Sequence, residues 1–70
     1  MPMKISTAII RYLGKKKDWA STKEIANNIG VAWSTALMYL YQLKADGVVE
    51  EKKEKFRGGV GYTRMWRLVE

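Results

Sequence analysis

The sequence predicts an α+β domain: three short helices sharing one core, closed by a C-terminal two-stranded β-hairpin. Three observations predict it. Before Gly47, apolar residues recur at spacings of three and four through three segments, the mark of amphipathic helices. Two of those segments, between Ser21 and Gly47, are parted only by a tight turn at Gly30. After Gly47 the period falls to two, and a glycine-rich stretch divides the remainder into paired strands.

The first helix is expected over about residues 3–16, with Ile5, Ala8, Ile9, Tyr12 and Leu13 on one stripe. Gly14 and the run Lys15-Lys16-Lys17 are expected to close it, since cations are favourable near a helix C-terminus. Asp18-Trp19-Ala20 then serves as a connector with one or two extended residues. The second helix, residues 22–29, has a start signal: Ser21 stands three residues before Glu24, a capping box in which each side chain serves an orphan backbone N–H. Ile25, Ala26 and Ile29 form its inner face, and Gly30 stands where a left-handed C-terminal residue is needed. Two turns do not hold as an isolated helix, so packing must hold this one.

The third helix spans residues 33–45, with Ala36, Leu40 and Leu43 inward and Tyr39 on the edge, and stops at Asp46-Gly47. Strands are expected over residues 48–55 and 62–69, joined by Phe56-Arg57-Gly58-Gly59-Val60-Gly61, whose glycines allow positive φ. In the last strand Trp66 and Leu68 share one face, Met65 and Arg67 the other. A two-stranded ribbon is unstable unless packed. Trp66 and Leu68 should therefore cover the helices.

Seventy residues with 47% apolar content and eight aromatics fit one domain, residues 1–70, near the lower size limit for a core without staples. The chain has no cysteine and no histidine, which removes disulfides, thiol nucleophiles and the usual zinc sites. The seven carboxylates are scattered among lysines, and metal and nucleotide motifs are absent. The expectation is no enzyme and no cofactor. No apolar run approaches the roughly 18 residues of a membrane span. The N-terminus carries its cations after the apolar stretch, against a secretory signal. A cytoplasmic protein is expected, nucleoid-associated if prokaryotic. The net charge of +6 and pI near 9.8 favour polyanions, nucleic acid before an anionic membrane surface.

Several residues carry a family pattern by their joint spacing. Ala26 takes the small position where two helices approach, Gly30 the turn glycine four residues later, and Val31 the buried turn residue. Ala36, Leu40 and Leu43 fill the inward positions of the next helix, and Asp46-Gly47-Val48-Val49 forms a helix stop and strand entry. On these residues the chain resembles the winged helix-turn-helix family over nearly its whole length. The resemblance implies double-stranded DNA binding, with helix 33–45 in the major groove and the hairpin wing along the backbone or minor groove.

The residues supply part of a mechanism. Lys52, Lys53, Lys55, Arg57, Arg64 and Arg67 crowd the hairpin, balanced by Glu50, Glu51 and Glu54; Arg57 and Arg64 have no acid beside them in sequence. Ser21, Thr22 and Lys23 open the second helix, whose backbone N–H groups and dipole suit a phosphate. Neutralising about four to six phosphates would give a log–log salt slope near −4 to −5.

Helix 33–45 presents Ser34, Met38, Tyr41 and Gln42 outward, flanked by Trp33, Thr35 and Leu37, with no Arg, Asn or Lys between Trp33 and Gln42. Only Gln42 offers a bidentate adenine contact. Ser34 and Thr35 suit phosphates or base edges, Leu37 and Met38 thymine methyls, and Tyr41 stacking or donation to a phosphate. Trp33 and Leu37 flank the buried stripe and read more simply as core or subunit interface. Met38 and Tyr41 form an apolar patch of the kind that meets a partner. The alternative function is a winged-helix protein–protein module that docks this apolar face. A cationic, glycine-tipped wing favours DNA over docking.

A narrower resemblance is to winged-helix domains that bind left-handed Z-DNA, through Leu40-Tyr41-Gln42-Leu43 and Met65-Trp66-Arg67-Leu68. That subfamily has an asparagine four residues before the tyrosine and prolines before the tryptophan; Leu37 and Thr63-Arg64 stand there instead. Trp66 is read as a core residue of the wing. Symmetric operators commonly go with dimers. A homodimer here would use Ile10, Tyr12 and the first helix, or the patch around Trp33 and Leu37.

Overall fold

The computed structural model describes residues 4–55 and 61–69. The chain order is α1 (Ile5–Lys16), β1 (Ala20–Ser21), α2 (Thr22–Ile29), α3 (Trp33–Ala45), β2 (Val49–Lys55) and β3 (Tyr62–Leu68). The helices and strands stand where the sequence places them, with ends differing by one or two residues. The sheet, however, has three strands rather than two, in the order β1-β3-β2. The connector supplies the third: Ala20 pairs with Trp66 and Ser21 with Met65, antiparallel. This short strand ties the entrance of α2 to the wing.

Ile9 and Leu13 of α1, Ile25 of α2, Leu40 and Leu43 of α3, and Val49 and Trp66 of the sheet form one buried cluster with Ala20. Trp66 is fully buried, and its indole N–H donates to Thr22 Oγ1 at 2.8 Å, which satisfies the one polar atom its burial would orphan. Leu68 packs against the same cluster, as strand alternation requires.

Three local expectations are corrected. Gly14 does not end α1; it lies within the helix, where a methyl group would come 3.6 Å from Leu68 Cδ1. The stop falls at Lys17, in the left-handed region at φ 56°, with its N–H on the Leu13 carbonyl. The capping box forms only by half. Glu24 N–H donates to Ser21 Oγ at 3.0 Å, but the Glu24 carboxylate accepts from the Tyr12 hydroxyl and the Lys16 ammonium instead of the Ser21 backbone. That cluster clamps α1 to α2. Val31 is half-buried rather than buried. Gly30 does adopt φ 77°, its N–H and that of Val31 both reaching the Ala26 carbonyl.

The clamp leads to a pH prediction. Hydrogen bonds from Lys16 and Tyr12 hold the Glu24 carboxyl below its ordinary range. Burial pushes the Glu51 carboxyl up, but hydrogen bonds from Lys44 and Arg64 more than offset it, and its range is also lowered. Both groups bind protons more weakly folded than unfolded, so their stabilisation is complete above about pH 5 and is lost as pH falls through their folded values. The urea midpoint should decline below pH 5, and less steeply in Glu24→Gln, whose side chain no longer titrates. An identical acid limb in that variant would remove Glu24 from the effect.

Candidate nucleic-acid interface

Strand alternation sorts the wing cations between two faces. Val49 and Trp66 are buried, so the residues two apart from them in sequence share the inward face: Glu51, Lys53 and Lys55 on β2, and Tyr62 and Arg64 on β3. Lys52 and Arg67 point the other way. Both lie over the Trp19 ring, at 4.6 and 4.4 Å from its centroid, and Arg67 pairs with Glu50 at 2.6 Å. These two cations brace the back of the sheet, away from α3.

On the inward face, Arg64 reaches α3. Its Nη1 donates to the Tyr41 hydroxyl and to Glu51 Oε2 at 3.0 Å, and the guanidinium lies 5.4 Å from the Tyr41 ring centroid. Glu51, whose side chain is 8% exposed, also accepts from Lys44 at 2.9 Å. The expectation that Arg64 lacks an acid is therefore corrected. Its acid sits diagonally across the ladder, where linear sequence does not show it. Arg57, the other favoured cation, and the rest of loop 56–60 lie outside the described residues. Lys53 and Lys55 are exposed, and among the described residues they make no ion pair.

The outward side of α3 is open. Trp33 is 53% exposed, Met38 52% and Tyr41 39%, and Ser34 and Gln42 are exposed beside them, with Thr35 half-buried. Trp33 is thus not an extension of the core, because it opens the helix before the inward stripe begins. Leu37 does pack against the core. Of the residues opening α2, Lys23 is exposed and Ser21 half-buried, but Thr22 is buried and its hydroxyl accepts from the Trp66 indole. Tyr12 is likewise held by Glu24, which leaves Ile10 as the exposed apolar residue of α1. The residue that sequence reading missed is Glu51. Its alternation with Val49 was visible, but its two cation partners depend on the fold.

Three helices with a sheet of β1, β2 and β3 packed over them define a winged helix-turn-helix domain, a DNA-binding fold class. The chain belongs to the FaeA-like protein family, whose model matches residues 5–70. None of the curated proteins matches the chain. Among solved structures, it superposes on a possible transcriptional regulator from Methanosarcina mazei Go1 with TM-score 0.85 at 14% identity, over 99% of this chain and 57% of that one. The chain therefore spans little more than half of that relative's length. The Zα domain of Carassius auratus PKZ in complex with Z-DNA matches with TM-score 0.76 at 26% identity, over 93% of this chain and 92% of that one. Stf76 from the Sulfolobus islandicus plasmid-virus pSSVx matches with TM-score 0.80 at 20% identity, over 94% and 82%. Among the described residues, no helix is long and apolar enough to cross a membrane.

Proposed function

We propose that the chain is a double-stranded DNA-binding regulator that sets α3 in the major groove and lays its wing along the backbone. The observation that carries this reading is the Arg64–Tyr41 contact, which joins the wing to α3 as one surface. Lys23, Lys53 and Lys55 rim that surface and supply phosphate contacts, while Ser34, Met38, Tyr41 and Gln42 face the bases. With no arginine or asparagine on its outward side, α3 discriminates modestly. Fluorescence anisotropy of a labelled duplex titrated at several salt concentrations tests the reading. A log–log slope near −4 is expected. Tyr41→Ala should reduce preference among sequences about tenfold and leave the slope nearly unchanged. A slope near zero would return the apolar face of α3 to the protein-docking alternative.

One contact favours a second reading, binding of a left-handed duplex. Tyr41 meets Trp66 edge-on, with ring centroids 5.6 Å apart at 81°. Both residues belong to the narrower Z-DNA resemblance, and the similar Zα domain was solved with Z-DNA. Leu37, packed into the core, brings no hydrogen-bonding group to that surface. Circular dichroism of an alternating CG duplex separates the readings. Inversion of the duplex spectrum on adding protein supports the left-handed form, and binding without inversion retains the right-handed one.

A further inference from the structure

The starts of α2, α3 and β3 converge on a cleft of about 480 Å³ lined by Ser21, Thr22, Lys23, Trp33, Tyr62, Thr63 and Arg64. Its size falls within the roughly 300–1,000 Å³ of clefts that take small molecules. Trp33 and Tyr62 are its large apolar groups, 53% and 63% exposed. Neither side chain belongs to the buried core cluster.

We infer that this cleft receives one unpaired nucleobase of a DNA strand, which stacks on Trp33 and Tyr62; the inference rests on the duplex-binding reading above. A base inside a duplex has both π faces covered by its neighbours. Aromatic faces lining a cleft therefore gain nothing from a paired base and become useful only to one that has left the stack. The polar lining suits the rest of a nucleotide. Lys23 makes no ion pair among the described residues and stands at the rim for the flanking phosphate. The hydroxyl of Ser21 offers a donor to a base edge; Ser21 Oγ already accepts from Glu24 N–H, and its own proton remains free to donate. The cleft adjoins Arg64, so a base entering it leaves a strand that the α3 and wing surface already holds.

The test compares a fully paired duplex containing 2-aminopurine with the same duplex carrying that base as a single-nucleotide bulge. Affinity is read by anisotropy and stacking by 2-aminopurine emission. The bulged duplex should bind about 5- to 100-fold more tightly, the size of one base–aromatic stack, with its emission quenched. Trp33→Ala and Tyr62→Ala should each lower the bulged-to-paired ratio, and the two together should bring it close to one, with thermal melts reporting that the core is intact. Equal affinity for the two duplexes overturns the cleft while leaving the groove reading in place. A preference that survives both substitutions also overturns it. Binding of the bulge without the paired duplex keeps the cleft and overturns the groove reading; binding of neither overturns both.

Discussion

Trp66→Ala leaves this domain unfolded or close to it. The indole is fully buried, joins β3 to α2 through Thr22, and meets the edge of Tyr41. Truncating a buried tryptophan costs about 3–5 kcal/mol from lost burial and the cavity left behind. A core in a domain of this size rarely supplies more than about 3–5 kcal/mol, so the loss is comparable to the whole. Trp66→Phe separates the contributions. It keeps most of the apolar volume but strands the Thr22 oxygen without its donor, at about 1–3 kcal/mol. Urea denaturation reads both, as a shift in midpoint at constant slope. A loss below about 1 kcal/mol for the alanine variant would show that the wing does not depend on this residue.

Glu51→Gln changes binding and stability in opposite directions. The carboxylate holds Arg64 and Lys44 together, and its side chain is nearly buried while theirs are 38% and 48% exposed. With the negative charge removed, the Lys44–Arg64 pair presents one more net positive charge to phosphate. Duplex affinity should rise several-fold for every sequence, and the salt slope should steepen by about one phosphate's worth, close to 0.9. Stability should fall by about 1 kcal/mol, a small figure because the exposed ends of both pairs are screened by water. Loss of affinity in this variant would mean that Glu51 positions Arg64 for DNA rather than restraining it.

These two expectations differ in what made them visible. The place of Trp66 in the core follows from alternation with Leu68 and from the rule that a ribbon needs a packed face. The same alternation anticipates the split of wing cations between two faces. Glu51 was read only as a charge balancing its strand neighbours. Its actual partners lie 7 residues back on α3 and 13 residues on along β3. Thr22 looked like a phosphate contact because it opens a helix, yet its hydroxyl serves a residue 44 positions away.

Sequence by itself determined the order of helices and strands, the inward stripe Ala36-Leu40-Leu43 and the family pattern, since each follows from short-range period or from a stop residue such as Gly47. Tertiary structure alone decided that Ala20–Ser21 adds a third strand, that Thr22 is enclosed, and that Arg64 is tied to both Glu51 and Tyr41. Periodicity acts within one element and can be counted along the chain. Pairing between charges depends on the register and packing of elements far apart in sequence, which exist only once the core has formed.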